Sequence, residues 1–400
     1  MKSPVATLCA LLATSFSLTI PGYAADAEYQ SFFSQACTNP GGRLAQRCAE
    51  TNGGTGNIST DSESSLVPSH MLSASDTSLA TEAYAGARPT TGTLIKSGPL
   101  SATLSLSQGE IESERADAID AERSYLADSR GASINIDYRH SETKVSGLIL
   151  FFEKSDMEFE PEAAGRNFTP AARAADYESN TAGISGFFSH SGSHGAFIDI
   201  AASYARSDFR FERHSVFQES NRVIAQTNVD TSANADGDAR LLLIRGGKAV
   251  NIGRLTLAPH AAFQFTKSVI DSYSERDNSN SGLAMRYAKS SQISRLGLAA
   301  LSLQLPLNTD FGVLTPQWDL QYHREFGRDD NQLEAVLIND LNGNVFTTKG
   351  DAPDRSYFRH RLSLVAILRD GWMPYIDYTY LSGNSEYSEN RVNLGVRMAL

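Results

Sequence analysis

The sequence predicts an all-β protein: an antiparallel transmembrane β-barrel of about twelve strands behind a short N-terminal segment. Three observations carry this. Apolar and polar residues alternate with period two from about Ser97 to Leu400. The connections between alternating segments are tight and long by turns. The N-terminus has the features of an export signal.

Residues 1–24 form the expected signal peptide. Lys2 gives the positive start, Val5 to Ile20 the apolar stretch, and Pro21-Gly22-Tyr23-Ala24 the small residues before a cut after Ala24, with Ala25 as the alternative. Cys9 lies too early and lacks the small residues that precede a lipoprotein cysteine. Cys37 and Cys48 remain after export, and an oxidising compartment favours one local disulfide between them. The rival, a metal site, would have two thiols and no nearby histidine.

Residues 25–92 are rich in Ser, Thr, Gly and Ala and read as a largely irregular passenger or linker, with too few large apolar residues for a core of its own. A helix is expected at about 73–88, capped by Ser75 or Asp76 and stopped by Pro89. Such a helix would thread or plug a barrel lumen.

The barrel occupies residues 93–400. Leu100, Ala102, Leu104 and Leu106 alternate with Ser101, Thr103, Ser105 and Ser107, and Ile134, Ile136 and Tyr138 with Ser133, Asn135, Asp137 and Arg139. Strands are expected near 97–107, 131–140, 143–153, 179–190, 195–205, 239–248, 252–266, 291–305, 311–323, 356–369, 371–381 and 388–400. Short turns follow the even-numbered strands. Polar connections of roughly twenty to thirty residues follow most odd-numbered ones, and short turns on one rim with long loops on the other mark an outer-membrane barrel rather than a soluble sandwich. With short turns periplasmic, the long loops lie outside and both barrel ends reach the periplasmic rim. Trp372, Tyr380, Tyr322 and Phe265 suit interfacial girdles. Pro259, Pro316 and Pro374 belong near strand ends or bulges, because each lacks a ladder N–H.

Composition agrees with this reading. The net charge of −11 argues against nucleic-acid binding. Mean hydropathy is −0.29, and no apolar run after the N-terminus approaches the ~18 residues of a membrane helix.

The region from about Ala132 to Leu400 resembles the β-domain of autotransporters, the type V secretion family. The resemblance is carried by Gly131 to Arg139, by Leu257-Ala258-Pro259-His260 followed by Ile270 to Glu275, by Pro374-Tyr375-Ile376-Asp377-Tyr378, and by Leu394-Gly395-Val396-Arg397. It implies an outer-membrane barrel of a Gram-negative bacterium, monomeric, embedded in outer-membrane lipid and escorted by periplasmic chaperones. Asn393, Gly395, Met398 and Leu400 resemble the C-terminal signal read by the barrel-assembly machinery, although Leu400 stands where the family usually has Phe or Trp. The family's large passenger is missing, and so is its Asn-based self-cleavage sequence.

No enzyme is expected, and no catalytic, cofactor-binding or metal residues are assigned. His190 and His194 flank a predicted turn and read as solvated. Asp230, Ser232, Asn234 and Asp236 alternate like calcium-loop ligands, but Ala235 stands where the loop needs Gly, so a polar extracellular loop is expected. Asp137, Arg139, Asp199, Asp319, Asp377, Arg359, Arg361, Arg391 and Arg397 should face the lumen and either line a pore or form an ion-pair lattice. The expected function is an autotransporter-like barrel that anchors, and could export, the N-terminal segment. A small porin-like channel is the alternative, and a barrel hydrolase a third reading for which no triad is visible.

Overall fold

The computed structural model describes residues 27–56, 58–60, 99–113, 124–161, 169, 171–173, 175–219, 226–328, 332–349, 355–384 and 387–399. The expected signal peptide, the helix expected at 73–88 and Leu400 lie outside the described residues.

Twelve antiparallel strands close into a barrel. They are β1 (Leu100–Ser113), β2 (Tyr125–Ser141), β3 (Lys144–Phe159), β4 (Ala175–Ser191), β5 (Ala196–Glu219), β6 (Thr227–Lys248), β7 (Leu255–Ile270), β8 (Ser290–Gln304), β9 (Gly312–Arg328), β10 (Ser356–Leu368), β11 (Trp372–Ser382) and β12 (Ser388–Ala399). Each pairs with the next, and β12 pairs with β1 from Ser101↔Ala399 to Glu112↔Ser388. Closure matters physically, because hydrocarbon offers no partner to an open edge.

All twelve expected strands are present, but several run well past their expected ends toward the long-loop rim. The stretch between the expected fifth and sixth strands is mostly a continuous hairpin, β5 paired to β6 from Ala196↔Lys248 to Phe217↔Thr227. Its charge density reads as loop, yet the alternation continues through it with the polarity reversed. Asp230, Ser232, Asn234 and Asp236 therefore lie on a strand and not in a polar loop, which corrects that expectation.

The reversal runs around much of the barrel. In the short-turn half, large apolar side chains point outward and stay exposed: Leu104, Leu106, Ile134, Ile136, Leu150, Phe152, Ile184, Ile200, Leu242 and Leu394. Leu106 is 58 % exposed, which is costly in water and favourable in lipid. In the long-loop half the outer face carries Arg130, Lys154, Asp156, Glu178, Arg206, Asp208, Arg210 and Asp236. The inner face there turns apolar, with Ile111, Tyr125, Met157, Phe159, Tyr177 and Phe209 packed together. One half is thus built for lipid, and the other has the polar outside and apolar inside of a water-soluble β-protein.

Pro259, Pro316 and Pro374 each stand one residue beyond the end of one of their two ladders, next to His260, Gln317 and Tyr375 respectively. No strand bond is lost to them. Trp318, His360 and Tyr380 stack on the outer face of β9–β11, with His360 and Tyr380 centroids 4.4 Å apart, among the aromatics that suit an interfacial girdle.

The N-terminal segment, expected to be largely irregular, holds two helices, α1 (Ala27–Ala36) and α2 (Gly42–Glu50). Tyr29, Phe32, Phe33 and Ala36 recur at i, i+3, i+4 and i+7, one helical face, and all four are buried. Cys37 and Cys48 are bonded, with Cα atoms 5.4 Å apart. The apolar stripe of α1 is buried against residues of the barrel strands and their connections, among them Phe217, Met285, Leu337 and Phe346.

Candidate functional site

The candidate site is the lumen together with the structure over its long-loop mouth. The inner wall differs from one sector of the barrel to another. The sector β12–β1–β2, with β10 and β11, is polar. Arg397 donates to Asp137 at 2.6 Å and to Ser101 at 2.7 Å, and Ser101 donates to Asp137 at 2.7 Å, so the pair spans the seam where β12 meets β1. Arg361 pairs with Asp377 at 2.6 Å and Arg359 with Glu389 at 2.6 Å. Arg391 lies 3.4 Å from Glu153 and 3.8 Å from Glu389. On the opposite side Arg245 pairs with Asp199 at 2.9 Å, and there Ile149, Phe187, Ala201, Leu241 and Leu243 form an apolar cluster beside hydrogen-bonded hydroxyls of Ser185, Ser189 and Ser203.

Seven of the nine charges expected in the lumen thus sit in ion pairs. Asp319 accepts from the hydroxyl of Ser302, and Arg139 stands half-buried near the short-turn rim. The partners Glu153, Glu389 and Arg245 were missed: Glu389 shares the polar phase of Arg391 and Arg397, whereas Glu153 follows Ile149 and Phe151, and Arg245 follows Leu241 and Leu243, on phases that read as apolar. A closed set of pairs stiffens the wall. Removing one member of such a pair leaves a buried charge uncompensated.

The mouth is closed by two connections. Residues 271–289 and 332–349 contribute short strands Tyr273–Ser274, Met285–Tyr287, Gln332–Leu337 and Phe346–Lys349, which form a small sheet. Inside it Arg213 of β5 meets Glu275. Glu275 also accepts from the Met285 N–H at 2.8 Å and the Tyr287 hydroxyl at 3.3 Å, and Arg213 donates to the Leu283 carbonyl at 3.2 Å. Phe211 stacks on Tyr273 at 4.8 Å, and Tyr273 on Tyr287 at 4.7 Å. Burial pushes the phenols of Tyr273 and Tyr287 well above their ordinary range, and the neighbouring Glu275 carboxylate adds to it.

The helical hairpin lies on this sheet. Phe32 and Tyr29 pack on Phe346 at 5.2 and 5.5 Å, and Phe33 packs on Phe217 near the tip of the β5–β6 hairpin at 5.1 Å. Each such side chain contributes roughly 1.5–3 kcal/mol on burial. The Gly41 N–H donates to the Asn339 carbonyl at 2.7 Å, the Leu341 N–H to Asn39 at 3.2 Å, and Arg47 to the Thr227 hydroxyl. Gly282, at φ +85°, lets the loop backbone pass α2 so closely that a β-carbon would lie 2.6 Å from the Arg43 carbonyl carbon. Residues Ile58–Thr60 then add a strand to the end of β5, opposite Phe217–Glu219.

His190 and His194 stand at a short turn on the other rim, as expected, with His194 exposed at φ +66°. No helix among the described residues is long and apolar enough to cross a membrane, a statement that does not bear on strands.

The sequence matches the family described as the autotransporter β-domain over residues 107–379. The chain belongs to the autotransporter β-domain family. Solved structures of such barrels share its fold. The translocator domain of the autotransporter NalP from Neisseria meningitidis aligns with a TM-score of 0.58 and 17 % identity, over 83 % of this chain and 98 % of that one. The β-domain of the Bordetella autotransporter BrkA aligns with a TM-score of 0.52 and 13 % identity, over 76 % of this chain and all of that one. Among curated proteins nothing matches. The autotransporter barrel described here is therefore an outer-membrane protein of Gram-negative type, of the kind assembled by the barrel-assembly machinery. Its exposed apolar belt is the surface that meets lipid.

Proposed function

We propose that this autotransporter barrel carries its own short N-terminal segment to the cell surface and keeps it there as a cap. One observation supports the reading above all. Ile58–Thr60 lies at the long-loop rim beside Phe217, whereas Leu100 opens β1 at the short-turn rim opposite Tyr138. The chain between them has to pass from one rim to the other, and the lumen is the route that keeps its polar backbone out of lipid.

The two halves of the wall support an orientation. Rows of arginine, lysine and carboxylate on the outer face require water, so the long-loop half stands clear of the bilayer. Short turns then lie in the periplasm with both barrel ends. The terminal strand, with Asn393, Gly395 and Met398, is the segment offered to the assembly machinery. In this reading the protein anchors and displays; it does not catalyse.

The signal peptide at 1–24, the boundary near residue 93 and the lumenal helix at 73–88 stand as proposals within it. A lumen in which ion pairs and hydroxyls stand beside one apolar cluster suits an amphipathic segment of small residues. The porin alternative gains no support from the family or from the two autotransporter barrels that share the fold. A protease-cleavable tag inserted beside Ser59 should be cut on intact cells. A tag protected until the outer membrane is permeabilised would overturn the proposal. Deleting residues 73–92 should raise single-channel conductance in planar bilayers, and unchanged conductance would count against a lumenal helix.

A further inference from the structure

On the outer surface below the cap, Asp176 of β4 and Glu212 of β5 stand directly opposite each other across the ladder. His214 lies two residues further along the same face of β5. One carboxylate oxygen from each acid and one ring nitrogen of His214 all fall within 4.8 Å of one another, and all three residues are half-buried. Directly opposite His214, on β6, is Asp230, whose carboxylate approaches the imidazole Nδ1 at 3.3 Å.

This is an unfavourable arrangement for a bare sheet surface. Like charges set directly across a ladder repel. The cations nearby offer limited relief: Arg173 lies 3.6 Å from Asp176 and Arg210 3.0 Å from Glu212, but their side chains are 67 % and 63 % exposed. Pairs held in water this way are worth little. The donor set is also chemically mixed. An all-oxygen cluster suits calcium or magnesium, whereas an imidazole beside two carboxylates suits zinc and its neighbours. Asp230 lies against Nδ1 of His214, and a carboxylate on a ligating imidazole is the usual arrangement for fixing its tautomer and orientation.

We propose that Asp176, Glu212 and His214 form a binding site for a divalent transition-metal ion of the zinc class, with Asp230 orienting the imidazole. The strands supply the donors at positions fixed by backbone register, so little ordering is needed on binding. Three protein ligands leave one position of a tetrahedral shell for water. The ion ties β4 to β5, and through Asp230 to β6, along the shaft of the hairpin whose far end carries Phe217 and Val229 against the helical cap. Its role there is to stiffen the support on which the cap rests. The inference does not depend on the route taken by the N-terminal segment.

The test is equilibrium dialysis of the full-length protein, folded in detergent, against micromolar Zn²⁺, with Ca²⁺ and Mg²⁺ in parallel. One equivalent of Zn²⁺ should be retained, with Ca²⁺ and Mg²⁺ retained far more weakly. Asp230→Asn should weaken retention by about 10–100-fold, and His214→Gln or Asp176→Asn with Glu212→Gln should weaken it further. His194→Gln, on the other rim, should leave it unchanged. Co²⁺ in place of zinc should give a visible absorption spectrum that disappears in His214→Gln. Each variant is checked for the gel-mobility shift of an intact barrel, and one that fails to fold is replaced by His214→Ala. Substoichiometric binding to the native protein, equal retention of calcium, or undiminished affinity in the folded variants would each overturn the proposal.

Discussion

Arg213 and Glu275, distant in sequence, form a two-pronged ion pair in which Nε and Nη2 of the guanidinium donate to the two carboxylate oxygens at 2.8 and 2.6 Å. Each side chain is only 6 % exposed. One partner belongs to the barrel wall and the other to the connection folded over the mouth, so this pair fixes the loop to the strand.

Breaking that pair should loosen the mouth without dissolving the barrel. Glu275→Ala leaves a buried guanidinium uncompensated, a cost of about 3–5 kcal/mol. The expected result is faster protease cleavage within residues 271–289 and higher ion conductance, with the mobility of a folded barrel retained on gels. Cleavage and conductance matching the native protein would show that other contacts hold the loop.

The helical cap should depend on its crosslink. Replacing Cys37 and Cys48 by alanine frees a short loop in the unfolded ensemble, which corresponds to roughly 2–3 kcal/mol. Hydrogen exchange across α1 and α2 should accelerate, while exchange in β1–β12 stays as it was. Equal acceleration in both would mean that the cap and the barrel melt as one unit.

Gly395 should be intolerant of any side chain. It lies opposite Tyr375 on β11, and a β-carbon there would fall 2.3 Å from the tyrosine ring. Gly395→Ala should therefore slow assembly of the barrel, read as accumulation of unfolded protein in the periplasm. Combining it with Tyr375→Ala should relieve part of the defect. If the single variant assembles at the native rate, steric fit is not why glycine stands in the terminal strand.

Acid should act on the loop between β7 and β8 late. Burial works against the charge of Asp277, but the N–H groups of Gly282 and Ser281 and the hydroxyls of Ser279 and Ser281 hold its pKa below the ordinary carboxylate value. A depressed carboxylate stabilises the fold fully above its unfolded pKa and loses that contribution as pH falls through the lower, folded value. The loop should keep its protection from exchange at pH 5 and loosen only below the usual range near 4. Asp277→Asn should show the loosened state at neutral pH, and a loop equally protected in both proteins would remove this role.

Much of the barrel was legible because lipid enforces a strict code. The alternation in β1, β2 and β12 and the tight turns fixed strand count and closure, and the same phases pointed Asp137, Asp377, Arg361 and Arg397 inward. The long-loop half was harder. Around Phe209 and Phe211 the strand keeps its period but exchanges its faces, so a window tuned to apolar-out segments reads charged loop. The cap was missed for another reason. Tyr29, Phe32, Phe33 and Ala36 carry a plain helical period, but a stripe that short gives no sign of the surface it covers. The contact of Phe32 with Phe346 is a tertiary event, and so is the meeting of Arg213 with Glu275.

The change of faces along β5 sets a height. The apolar outer row ends at Tyr204, and Phe217, which touches the cap, lies thirteen residues on. At about 3.3 Å per residue and a tilt near 40°, that is roughly 30 Å along the barrel axis. The helical hairpin therefore rides on a stalk of paired strands well clear of the belt that meets lipid. Length in the β5–β6 hairpin thus does for the two helices what a longer segment of their own would otherwise have to do.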